Sequence, residues 1–249
     1  MLASFTLAVV VIGTDIVIAS LLVVGARRAL VASGKPLADI QRIISVFGFV
    51  LFAWLAATLI LAWSGVFETA LNQPFPYIAV AIMLPILAGA LLIRHSESVK
   101  SMIDAVPQSQ LVAVQFYRVV GATFLVLYAT GRLPSVFALP AGWGDVFVGI
   151  TALLVAFESM QNRGRALVAM WNWFGIADLV VAVGTGFLSA PTRFQIFSLD
   201  APNTMIGSFP LVMIPIFAVP ISFILHLASL TKLHHESHRT ASGIGALRA

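Results

Sequence analysis

Seven stretches of this chain are apolar enough over a long enough run to cross a lipid bilayer, and that feature constrains the fold more than any other. A membrane-crossing helix needs about 20 mostly apolar residues. Windows of this kind cover 3–25, 43–63, 77–93, 111–130, 142–157, 167–188 and 206–230. The third and fifth are short and are expected to extend into the interfaces. Composition agrees with the reading. Charged residues make up 10% of the chain, against roughly 25% in a soluble domain. So few polar side chains cannot cover a water-exposed fold. The expected fold class is therefore all-α, a polytopic bundle of seven transmembrane helices in contact with the lipid bilayer. A cytosolic enzyme and a nucleic-acid partner are excluded, despite the net charge of +4. The lack of cysteine excludes a disulfide-stapled secreted domain.

Loop charges predict the orientation. Arg27, Arg28, Lys35 and Arg42 lie between the first and second windows, Arg94 and Lys100 after the third, and Arg163 and Arg165 between the fifth and sixth. Lys232, Arg239 and Arg248 follow the seventh. All eleven fall on one side of an alternating seven-span topology, and only Arg132 and Arg193 on the other. Cytoplasmic loops are rich in Lys and Arg, so the N-terminus is expected outside and the C-terminus inside, in an inner (plasma) membrane. The first window has its cations after the apolar run, which reads as an uncleaved anchor rather than a signal peptide. Trp63, Tyr77, Tyr128 and Trp143 are expected at the outer headgroup level. Residues 1–231 are expected to form one transmembrane domain, and 232–249 a flexible, cytoplasmic, basic tail containing His234, His235 and His238.

Two connecting segments carry structure of their own. Val99, Met102, Ile103 and Val106 recur at helical spacing before Pro107, as in a short amphipathic helix on the cytoplasmic surface. The long outer loop, 189–204, holds Phe194-Gln195-Ile196-Phe197. That segment is expected to rest on the membrane, with a cavity cover as the alternative. Short similarities also suggest a parallel 3+1+3 repeat. Gly13-Thr14-Asp15 matches Trp143-Gly144-Asp145, Val46-Phe47-Gly48 matches Trp173-Phe174-Gly175, and Phe75-Pro76 matches Phe209-Pro210.

Charged and polar groups inside the apolar windows are the functional candidates, because each is costly in lipid and so faces the bundle interior with a partner. Asp15, Arg118 and Asp178 lie deep, and Asp145 lies nearer the outer end of its window. Depth counting pairs Arg118 with Asp178. Helical spacing puts Gln115, Arg118 and Ala122 on one face, Asp145 with Gly149 and Ala152 on another, and Trp171, Gly175 and Asp178 on a third. Asn172 falls on a different face from Asp178. Two deep carboxylates against one deep guanidinium leave an excess negative charge, to be met by a proton or a ligand cation. The pattern predicts a pocket for a small anionic or zwitterionic solute. Arg118 would be its anchor, with Asp178, Asp15, Asp145, Gln115, Asn172 and Trp171 around it. The competing reading is a non-transporting sensor or structural subunit in which the same charges only staple helices. A further alternative is a haem or quinone protein using His95 and His226 as ligands, both expected near cytoplasmic helix ends.

Other signals are absent. The seventh window lacks the mid-helix lysine of a covalent retinal pigment, so no cofactor is expected. No phosphate-binding loop, metalloprotease helix motif or nucleophile elbow occurs, so no enzymatic activity is expected. Small-residue seams serve intra- and intermolecular packing alike, which leaves a homo-oligomer open. Three stretches, Gln115-Phe116-Tyr117-Arg118-Val119-Val120-Gly121, Leu139-Pro140-Ala141-Gly142-Trp143-Gly144-Asp145 and Trp171-Asn172-Trp173-Phe174-Gly175-Ile176-Ala177-Asp178, together with Leu225-His226-Leu227, carry a resemblance. On them the chain resembles a group of uncharacterised bacterial seven-helix membrane proteins with no assigned activity, so the resemblance implies the fold and adds no function.

Overall fold

The structure, a computed structural model, describes residues 2–68, 77–161 and 164–246, with side chains over 5–68, 77–161 and 164–237. Phe75, Pro76, Arg163 and Arg248, and the side chains of His238 and Arg239, lie outside the described residues. Among the described residues every regular element is helical. Seven spans, over Phe5–Ala32, Leu37–Trp63, Tyr77–His95, Gln108–Ala129, Ser135–Met160, Arg165–Ser189 and Ile214–Ser237, are long and apolar enough to cross a membrane.

We label the helices in chain order. α1 is Leu2–Ala32, α2 Leu37–Trp63, α3 Tyr77–His95 and α4 the short Glu97–Ala105. α5 crosses over Gln108–Ala129, α6 is Ser135–Met160 and α7 is Arg165–Ser189. α8 opens with a π-helical turn over Ile214–Ala218 and continues as α-helix over Val219–Ala246. The spans are longer than the apolar windows, because helices keep their hydrogen bonds through the polar interface. α6 begins seven residues before its window and α1 continues seven beyond. The seventh differs in the other direction. Residues 206–213, expected inside the helix, form a 3-10 turn over Met205–Gly207 and further turns before Ile214. Its end differs too, since helix continues without a break from Val219 through Leu230 to Ala246.

α8 is the axis of the bundle. Of its most apolar window 56% is buried, against 17% for α2 and for α3. It packs against α3, α5 and α7, with its first turn against α1 and α2. One apolar core joins α1, α2 and α8 through Ile18, Leu51, Leu55, Ile216, Phe217 and Leu225, and Trp54 tilts onto Phe217 at 4.8 Å. A second core ties α5, α6 and α7 through small residues, including Ala152 and Ala156. The opposite faces carry large apolar side chains outward, such as Phe49, Leu84, Leu154 and Met170. In water such faces would drive aggregation, whereas in a bilayer they meet acyl chains. Trp63, Tyr77, Tyr128 and Trp143 are exposed in the same way.

α4 is the amphipathic helix expected from its spacing. Ser96 caps it by accepting from Val99 N at 3.4 Å, and Ile103 is buried beneath it. Its C-terminal carbonyls are satisfied from α8: the buried Lys232 Nζ donates to Asp104 O at 2.7 Å and Ile103 O at 3.4 Å. A cation at a helix C-terminus also meets the negative end of the helix dipole. Lys232 is thereby part of the folded body.

Candidate functional site

Five polar side chains meet near the midpoints of four spans. α5 presents its share through an unusual backbone. Between α-helical stretches at Gln108–Ala113 and Ala122–Ala129 it tightens to 3-10 geometry over Val114–Gly121. Three residues per turn stack side chains i and i+3 in line. Gln115, Arg118 and Gly121 are accordingly the buried strip of this segment. The sequence reading placed Ala122 on that face. The tighter turn gives the place to Gly121, whose missing side chain leaves room for Asp145.

Arg118 is 3% exposed, and its Nε, Nη1 and Nη2 each find a partner within its own chain. Nε donates to Asp145 Oδ1 at 2.7 Å, and Nη2 pairs with the same oxygen at 2.7 Å. Nη2 also donates to Asp178 Oδ2. Nη1 meets the Gly175 carbonyl at 3.5 Å and His226 Nε2 at 3.3 Å. The expected Arg118–Asp178 pair is present, and Asp145 joins it as a second direct partner. Glycines make the approach possible. A Cβ at Gly144 would overlap the Asp178 carboxylate, and one at Gly175 would overlap the His226 imidazole.

The contacts of His226 set its tautomer. Asn172 Nδ2 donates to Val168 O and to Ser229 Oγ, both at 2.8 Å, so its Oδ1 is the acceptor facing His226 Nδ1 at 2.9 Å. Nδ1 therefore carries the proton, and Nε2 offers its lone pair to Arg118. A chain of bonds runs from Asp145 and Asp178 through Arg118, His226 and Asn172 to Ser229. Gln108 Nε2 donates to the same Ser229 hydroxyl. Trp171 lies beside the chain, with its ring 5.2 Å from that of His226 and its Nε1 donating to Thr151 at 3.0 Å. Asn172, expected on a separate face, enters the network through His226. Gln115 binds elsewhere: its Nε2 donates to Ser222 O at 3.2 Å, beside Tyr117, whose hydroxyl reaches Ala218 O at 3.2 Å.

Sequence reasoning put His226 near a membrane surface, with His95 as a haem partner. The structure differs on this point. α8 spans Ile214–Ser237, which puts His226 at mid-span and fully buried, while His95 ends α3 and is exposed. Both imidazole nitrogens are engaged, so His226 offers no lone pair to an iron. Among the described residues no group of three or more His, Cys, Asp or Glu side chains is arranged to hold a metal ion.

Two hollows adjoin the network. A vestibule of about 300 Å³ lies between α3, α7 and α8, on the side where Tyr77 begins α3. Phe124, Leu179, Ala182, Val183 and Phe187 line it, and Arg193 and Phe194 of the long loop stand at its rim. Arg193 sits 4.8 Å over the Phe194 ring. Phe194 thus takes part in covering a cavity, whereas Ile196 points outward. Asp145 forms the vestibule's acidic floor. Below it is a cavity of about 30 Å³ bordered by Asp15, Tyr117, Arg118, Asp145 and Ser222. The two share Asp145, Leu179, Ile214 and Val219 as a common wall. A third hollow, about 350 Å³ and almost wholly apolar, opens between α1, α2, α3 and α4 on the opposite side.

Residues 75–234 match the model of a family described as a domain of unknown function (DUF8737), and the chain belongs to that family. The matched stretch includes Arg118, Asp145, Asn172, Asp178, His226 and Ser229, and leaves out α1 with Asp15. Neither the curated proteins nor the solved structures contain a significant match.

Proposed function

We propose that this DUF8737 member is a multi-pass carrier or binding protein of a bacterial inner membrane, rather than an enzyme, and that its small solute occupies the vestibule above Asp145. One observation supports this above the rest: the vestibule ends on a carboxylate that belongs to the buried charge network. A closed apolar core has no use for such an opening, whereas a binding compartment needs apolar walls and a few placed polar groups.

The solute class follows from charge. The three Arg118 nitrogens are already engaged by Asp145, Asp178, Gly175 and His226, and His226 acts as an acceptor. Asp145 is the group at the floor, and Asp145 with Asp178 outnumbers Arg118. A largely apolar molecule carrying a cationic or hydrogen-bond-donating end fits better than the anionic or zwitterionic solute expected from Arg118 alone. Arg118 then acts on the solute through Asp145, by holding that carboxylate in place. Thermal unfolding of the purified chain in lipid nanodiscs, with matched hydrophobic amines, alcohols and carboxylates, tests the reading. Amines are expected to raise the Tm most. Occupancy at 100 times Kd contributes about 2.7 kcal/mol. Ala182→Phe, which fills the vestibule without touching the network, should abolish the shift. No shift with any class, or an undiminished shift in Ala182→Phe, overturns it.

A second reading has its own support. Pairing of Arg118 with two carboxylates of its own chain is what a permanent helix staple requires, so a structural or sensing subunit is favoured if the vestibule proves empty of any solute.

A further inference from the structure

Asp15 on α1 differs from Asp145 and Asp178 in having no arginine partner. It is 1% exposed, and its Oδ2 has no hydrogen-bond partner. Its carboxyl borders the cavity of about 30 Å³, a volume that suits one water molecule or one small ion.

The polar groups around that cavity are rich in acceptors and have their donors committed. Thr14 Oγ1 donates to Val10 O at 2.7 Å. Tyr117 donates to Ala218 O, with Ser222 hydrogen-bonded to the Tyr117 hydroxyl. The Arg118 nitrogens are engaged by Asp145, Asp178, Gly175 and His226. What remains facing the space is oxygen lone pairs. The charge arithmetic points the same way. Asp15, Asp145 and Asp178 stand against Arg118, with His226 accepting rather than charged. The other helices packed on α1 add nothing at this depth. The charges of α2 are Asp39 and Arg42 at its start, and those of α4 are Glu97, Lys100 and Asp104 at the basic side. An isolated carboxylate in a low-dielectric interior is costly, so a positive charge is what the space lacks.

We propose that Asp15 and this cavity bind one small monovalent cation, either a sodium-sized ion among the oxygens or a proton on the carboxyl itself. The site lies against the wall shared with the vestibule. It needs no solute in the vestibule and so stands or falls separately from the carrier reading.

The test uses the full chain in nanodiscs, first in sodium chloride against choline chloride and then by infrared spectroscopy of the carboxyl carbonyl. One of two results is expected. Sodium raises the Tm saturably and Asp15→Asn loses the effect, which identifies the ion. Otherwise sodium has no effect, and a protonated-carboxyl band disappears in Asp15→Asn, which identifies the proton. Ser222→Ala changes the lining but not the acid and serves as the second variant. It should weaken sodium binding by about tenfold, equivalent to about 1.4 kcal/mol, or displace the carbonyl band. An Asp15 that is ionised at neutral pH, with no response to sodium and no band sensitive to Asp15→Asn or Ser222→Ala, overturns the proposal.

Discussion

Asp178 and Asp15 are both buried carboxylates at mid-span, and they are treated in opposite ways. Asp178 receives a guanidinium N–H and sits in a notch that Gly144 leaves open for it. Asp15 has an unbonded oxygen and a water-sized space. Breaking a paired charge in the interior leaves its partner stranded, which is why such a pair holds helices together firmly. An unpaired one contributes no such hold and is tolerated only where something mobile can answer it. The first kind of site fixes the relative placement of α5, α6, α7 and α8. The second leaves α1 available to a ligand.

Substitutions can break this contrast. Arg118→Met strands Asp145 and Asp178 and is expected to cost the most, about 3–5 kcal/mol, measured as loss of thermal stability in nanodiscs. Gly144→Ala should come next, at about 1–3 kcal/mol, because its methyl group collides with Asp178 and must push α6 and α7 apart. His226→Leu removes an acceptor from Arg118 and a donor from Asn172. It is expected to cost about 1–3 kcal/mol through the unsatisfied partners, with Arg118 still paired to both carboxylates. Asp15→Asn, compared in choline chloride, should be the mildest, within about 1 kcal/mol of the parent, because no protein donor to Oδ2 is lost with the carboxylate. A large loss in Asp15→Asn with little in Arg118→Met would invert the comparison.

Much of this was legible in the sequence. The apolar windows fixed the number of spans, and counting 1.5 Å per residue from their ends put Arg118 and Asp178 at depths that a guanidinium stem can bridge. The misplacement of His226 has a definite cause. Residues 206–213 are apolar enough to extend the seventh window, yet they lie in turns outside it, so counting from 206 slid the whole helix and pushed His226 toward the surface. The inward strip of α5 was blurred because 100° spacing was applied to a stretch that turns by 120°. The vestibule was not legible, since it depends on how α3 stands off from α7, and no apolar pattern within one helix records that distance.

Arg118 is balanced by carboxylates of its own chain. The most direct measurement compares the thermal stability of Arg118→Met alone with that of Arg118→Met combined with Asp145→Asn and Asp178→Asn. The triple variant should recover most of the stability lost in the single one, because no charge is then stranded. A triple variant less stable than the single, or an Arg118→Met variant as stable as the parent, would contradict it.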